Sequence, residues 1–197
     1  MVLLKSFYVS TLSFASVLAA TYQQVTNFGP NPTNTQMWMY KPDVLASPPP
    51  VLVGIHWCSG SALAFSSGTN YKALADQYGF IVIYPSAPDS GGCWDVHTTA
   101  TLTHDAGGDS LGIASMVRYV ISTYGADKNR VFATGISSGA MMTNVLLGAY
   151  PDLFKGGFAL SGVPYGCFAG PDMWNSACSQ GTISKTPAEW VSLIRCV

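Results

Sequence analysis

Charge is scarce in this chain. Only 10% of its 197 residues are Asp, Glu, Lys or Arg, against about 25% in ordinary soluble proteins. With a net charge of -1, its bulk electrostatics favour neither nucleic acid nor a membrane surface as partner. Beyond the N-terminal region no stretch approaches the roughly 18 apolar residues of a membrane span. No C-x-x-C pair occurs, and the three histidines do not cluster with the five cysteines, so no metal site is expected. Repeats, low-complexity tracts and interdomain linkers are absent too. A last absence concerns chemistry: no histidine follows Ser137.

What is present begins with a leader. Residues 1–20 read as a secretory signal peptide, with Lys5 as its positive region and Phe7 to Leu18 as an apolar stretch. The small residues Val17-Leu18-Ala19 stand before a cut, with Ala20 as a neighbouring option. Residues 21–197 then form one domain, expected to be secreted, extracellular and monomeric. Cysteine usage agrees with an oxidising compartment. Cys58–Cys93 would tie two loops at one end of a sheet, and Cys167–Cys178 would close a short local loop. Cys196 is left over, two positions from Val197 at a terminus that is abrupt. Five Trp and ten Tyr suit a packed core plus a surface that meets sugars.

The order of elements follows from apolar runs between breakers. Gln36 to Tyr40 reads as a strand. After the stiff Pro48-Pro49-Pro50 turn, Val51 to His56 is continuously apolar, as a strand buried on both faces must be. Asn70 to Tyr78 has helical spacing and stops at Gly79. Phe80 to Pro85 is a second buried strand, and a long polar loop then runs to Gly108. Asp109 or Ser110 would cap a helix over Leu111 to Tyr124. Val131 to Thr134 and Gly156 to Leu160 are further strands. Strands alternating with helices at these lengths predict an α/β fold on a parallel sheet with right-handed crossovers.

One motif carries chemistry. Gly135-Ile136-Ser137-Ser138-Gly139 is a G-x-S-x-G pattern between the strand ending at Thr134 and the helical stretch from Ala140 to Gly148. Strand, glycine turn and helix make a nucleophile elbow, which holds a serine hydroxyl clear of the sheet. Ser137 is therefore the candidate nucleophile, and the backbone N–H of Ser138 one oxyanion donor. The second donor should come from the loop after an earlier strand. His56-Trp57-Cys58-Ser59-Gly60 stands there, with the amides of Trp57 and Cys58 as donors. His56 itself reads as a strand-end histidine that holds this loop by a hydrogen bond.

Several blocks taken together resemble fungal acetylxylan esterases of carbohydrate esterase family one, with feruloyl esterases and polyhydroxybutyrate depolymerases as cousins. They are Val53 to Gly60, Tyr78 to Pro85, Gly92-Cys93-Trp94-Asp95-Val96, Leu102 to Ser110, and Ser137 to Asn144. The resemblance runs from about Gln23 to Val191. It implies an α/β-hydrolase fold and acyl-enzyme removal of acetyl groups from xylan, without cofactor or metal. Ser137 matches the nucleophile and His56 to Gly60 the oxyanion segment. Trp94 is placed to stack on a sugar ring or to pack against Cys93.

The chain also departs from that family. The family's acid lies after the next strand and its histidine near the C-terminus, beyond where this chain stops, so the fold is expected to be incomplete there. His97 and His104 lie upstream of the elbow, in the wrong chain order for a base. The later carboxylates Asp152, Asp172 and Glu189 read as turn or surface residues. Two readings follow: a serine esterase on acetylated xylan, with feruloyl or polyester substrates open, or a catalytically dead polysaccharide binder whose ligand meets Trp94.

Overall fold

A computed structural model describes residues 20–194. The leader and Cys196 therefore lie outside the described residues. The strands are β1 (Thr21–Val25), β2 (Gln36–Lys41), β3 (Val51–Ile55), β4 (Ile81–Ser86), β5 (Val131–Ile136) and β6 (Gly156–Leu160). The helices are α1 (Ala62–Gly68), α2 (Tyr71–Tyr78), α3 (Gly108–Tyr124), α4 (Ser138–Ala149), α5 (Ser176–Ser179) and α6 (Pro187–Ser192).

All six strands form one sheet in the order β1-β2-β4-β3-β5-β6. The four strands β4, β3, β5 and β6 run parallel, as the alternation of elements predicts. β1 and β2 are antiparallel additions at one edge, which that expectation of a parallel sheet did not include. Their connection, Thr26 to Thr35, is too short for a crossover helix, so the chain must turn back on itself.

The two faces of the sheet are covered differently. Val51, Val53 and Ile55 point to one side, where Ile81, Ile83, Val131 and Ala133 join them under α3 and α4. Ile113, Met116, Val117, Met142, Val145 and Leu146 are fully or almost fully buried there. On the other side Tyr40, Val82 and Tyr84 pack beneath Ala62 and Phe65 of α1 and Ala75 of α2. That cover lies chiefly over β3 and β4, with Tyr71 of α2 bordering the groove along Phe132 and Phe158. Phe132, Ile136, Phe158 and Leu160 lie on the same side of β5 and β6 and are 41%, 38%, 63% and 43% exposed.

Caps show where side-chain chemistry decides the boundaries. Ser61 caps α1 by accepting from the Ala64 amide at 3.1 Å. Gly79 ends α2 in the left-handed region at φ 70°, and a Cβ there would sit 2.4 Å from the Ala46 amide nitrogen. α3 departs from expectation. Its N-cap is Gly107, because the two candidate caps are occupied: Asp109 accepts from the Asp95 amide and Ser110 donates to the Thr101 carbonyl.

Candidate active site

β5 rises into the elbow and α4 leaves it. Ser137 stands between them at φ 56°, ψ -122°, a combination outside the ordinary wells that costs on the order of 1–3 kcal/mol. Two glycines make the turn passable. A Cβ at Gly135 would lie 2.3 Å from the Gly139 carbonyl oxygen, and one at Gly139 would lie 2.2 Å from that of Ile55. The elbow is thus pressed against the C-terminal end of β3, where the next loop begins. Its other side is tied to β6 by a 2.9 Å bond from the Ser137 amide to the Leu160 carbonyl. Ser137 is exposed and Ser138 is buried.

The loop after β3 is organised by His56, which is fully buried. Its Nδ1–H donates to the Trp57 carbonyl at 2.7 Å and its Nε2 accepts from the Ala87 amide at 3.0 Å. Those two partners require the neutral ring with its proton on Nδ1. Burial also drives the His56 pKa down, partly opposed by the bond to Trp57. The side chain is therefore a structural brace, as its position in the sequence suggests. Trp57 is 38% exposed, and its carbonyl also receives the Gly60 amide at 2.9 Å.

Cys58 is bonded to Cys93 with a Cα–Cα distance of 4.1 Å, which fastens this loop to the one after β4. The second expected bridge, Cys167–Cys178, is present as well. Among the described residues no hydrogen bond engages the amides of Cys58 or Ser138. Both residues line one apolar cavity of about 160 Å³, together with Trp94, Met141, Phe168 and Trp174. The cavity lining is almost wholly apolar, and the two residues expected to supply oxyanion amides both border it.

Trp94 corrects an expectation. It is 1% exposed, and its indole N–H donates to the His56 carbonyl at 2.8 Å. A ring enclosed in this way cannot stack on a sugar, and it forms the floor of the cavity. Trp174 is the aromatic residue that the sequence reading missed. It is 65% exposed and meets Phe168 edge-on at 5.3 Å. Nothing in the sequence separates it from Phe168 of the same Cys167–Cys178 loop, which is 3% exposed.

All three histidines are now accounted for, and none serves Ser137. His97 has Nδ1 3.1 Å from Asp95 and lines a different cavity, beside Leu102 and Tyr165. His104 lies between Asp105 and Asp152, at 3.5 and 3.3 Å, and packs on the Tyr150 ring at 4.8 Å. Tyr150 is the C-cap of α4 and Ser137 its N-cap, so at 1.5 Å per residue the two ends stand roughly 20 Å apart. The later carboxylates are spent elsewhere: Asp152 near His104, Glu189 in the capping box of α6, and Asp172 exposed beside a shallow pocket. No group of His, Cys, Asp or Glu among the described residues could hold a metal ion.

A family model described as esterase PHB depolymerase matches residues 37–179. The chain is 50% identical over 195 residues to the probable acetylxylan esterase A of Aspergillus niger, which covers 97% of this chain and 64% of that protein. It is 53% identical over 174 residues to acetylxylan esterase A of Emericella nidulans, covering 86% of this chain and 57% of that one. The solved acetyl xylan esterase from Aspergillus awamori superposes with a TM-score of 0.86 at 53% identity, over 88% of this chain and 65% of that chain. The chain thus spans somewhat less than two thirds of the relatives it matches.

Proposed function

Because the chain belongs to the esterase PHB depolymerase family, we propose that it carries the nucleophile half of a secreted serine esterase that removes acetyl groups from xylan. The observation behind this reading is the elbow: a strained, exposed Ser137 whose neighbour Ser138 shares an apolar cavity with Cys58. In this reading Ser137 Oγ attacks the acetyl carbonyl carbon, and the Ser138 and Cys58 amides receive the oxyanion. The bond from that carbon to the sugar oxygen breaks, and the sugar leaves as an alcohol carrying the proton given up by Ser137. Water then adds to the acyl-enzyme, releasing acetic acid and returning a proton to Ser137 Oγ.

Relatives named acetylxylan esterase favour an acetyl group over a feruloyl or polyester substrate. Secretion is supported by two disulfides and by the leader-like composition of residues 1–20. The binder reading loses its main support with the burial of Trp94.

The test is acetate release from acetylated xylan by the purified chain and by Ser137→Ala. Each of the three histidines is committed elsewhere, so turnover should be weak, since a general base contributes on the order of 10²–10⁴-fold. A trace that exceeds the uncatalysed rate and disappears in Ser137→Ala supports the reading. Release unaffected by that substitution would refute it.

A further inference from the structure

Oxidisable sulfur is distributed unevenly in this molecule. The chain has seven methionines, of which Met1 lies outside the described residues. Met37, Met39, Met116 and Met142 are 0% exposed and belong to the main core. The two that solvent reaches are Met173, which is 47% exposed, and Met141, which is half-buried. Both line the apolar cavity beside the elbow. No described cysteine competes with them for an oxidant, since Cys58, Cys93, Cys167 and Cys178 are all in disulfides.

Helix geometry places one of them over the candidate oxyanion donors. Met141 follows Ser138 by three positions in α4, so the two lie on one face. Long helical side chains lean toward the helix N-terminus, and Met141 therefore covers the turn that begins at Ser138. Met173 reaches the same cavity from the loop closed by Cys167 and Cys178. A thioether suits an apolar lining because it is polarizable and carries no strong dipole. Its sulfoxide does not, since oxidation turns the side chain polar. The S–O oxygen is a hydrogen-bond acceptor, and the residues whose amides would serve an oxyanion, Ser138 and Cys58, border the same space.

We propose that Met141 and Met173 are an oxidative modification site that closes this cavity, with a hydroperoxide as the oxidant. A sulfur lone pair attacks the terminal peroxide oxygen, and the S–O bond forms as the O–O bond breaks. The other oxygen takes up the terminal proton and leaves as water or an alcohol, so sulfur loses the two electrons that the peroxide gains. Met173 reacts first because it is the more exposed. Met141 follows, and its sulfoxide oxygen accepts from the Ser138 amide where an oxyanion would lie. The block on catalysis rests on the esterase reading; the modification and its hydrogen bond do not.

The experiment treats the full chain with hydrogen peroxide and maps the added oxygen by peptide mass spectrometry. Met173 and then Met141 should each gain about 16 Da, one oxygen atom, while Met37, Met39, Met116 and Met142 gain nothing. Met142 is the internal control, next to Met141 in sequence and fully buried. By nitrogen-15 NMR the Ser138 amide should then exchange with solvent about fivefold more slowly, as one added hydrogen bond predicts. Methionine sulfoxide reductases A and B should restore the untreated rate. Met141→Leu should show no such slowing, each protein being compared with its own untreated sample. Ser137-dependent hydrolysis of 4-nitrophenyl acetate should fall with the time course of Met141 oxidation. Slowed exchange in a chain with no Ser137-dependent hydrolysis before treatment retains the modification site and overturns the esterase reading. Oxidation that reaches the core methionines as readily, an unchanged Ser138 amide, or slowing that persists in Met141→Leu overturns the proposal.

Discussion

A single methyl group tests the packing of the elbow. In Gly139→Ala the new Cβ would stand 2.2 Å from the Ile55 carbonyl oxygen and 2.5 Å from that of His56. Both are backbone atoms at the end of a central strand, so neither can yield as a flexible side chain would. Overpacking of a core costs about 1–3 kcal/mol even where side chains can shift, and we place this case near the upper end. For a domain of this size about 1 kcal/mol moves the melting temperature by 2–4 °C, so Gly139→Ala should melt about 6–12 °C below the parent. The control is Gly68→Ala, the same methyl at the end of α1, where nothing lies within 4 Å. There alanine lowers the entropy of the unfolded chain and should add about 0.4–1 kcal/mol. Thermal unfolding of the three proteins by circular dichroism at one pH is sufficient. If Gly139→Ala melts within about 2 °C of the parent, the elbow is not pressed against β3 and the argument fails.

Further outcomes follow from the same structure. Removing the first bridge in a Cys58→Ser, Cys93→Ser double variant releases a loop spanning 35 residues and should cost about 3–4 kcal/mol, read as a lower denaturant midpoint. The folded pKa of His56 lies below its ordinary 6.5, so its contribution is complete above that pH and is lost as pH falls toward the folded value. Urea titrations from pH 7.5 to 5 should therefore show declining stability that is shallower in His56→Gln. Asp109 has the opposite sign: burial raises its pKa, which penalises the ionised form as pH rises. Asp109→Asn keeps an acceptor for the Asp95 amide and should be more stable than the parent at pH 7. Trp94→Phe leaves the buried His56 carbonyl without its donor and should cost about 1–3 kcal/mol in a chemical melt.

The parts of this molecule that were readable from sequence are those where one residue type has one physical use. Val51–Ile55 and Ile81–Ser86 are apolar on both faces and bounded by breakers, so their central positions were evident. The elbow was readable because a turn that tight needs Gly135 and Gly139. β1 was not, since Thr21-Tyr22-Gln23-Gln24-Val25 has no apolar run and becomes a strand through its register with Met37 to Lys41. α1 was hidden by its Ser and Gly content and exists through the Ser61 cap and the burial of Phe65. In the site, the two bridges were legible and the orientation of Trp94 was not. Sequence spacing does not tell which side of a loop faces solvent, nor that His104 would meet Asp152 across 48 positions.

The strand order also has a consequence in time. β3 lies between β4 and β5, and both of its neighbours are synthesised after it. Some eighty residues separate Val51 from its partner Val131. At roughly 5–20 residues per second, that partner emerges about 4–16 s later. Throughout that interval the most apolar strand of the sheet has one side open, and in any cell making this protein the ribosome's pace decides how long it must be shielded.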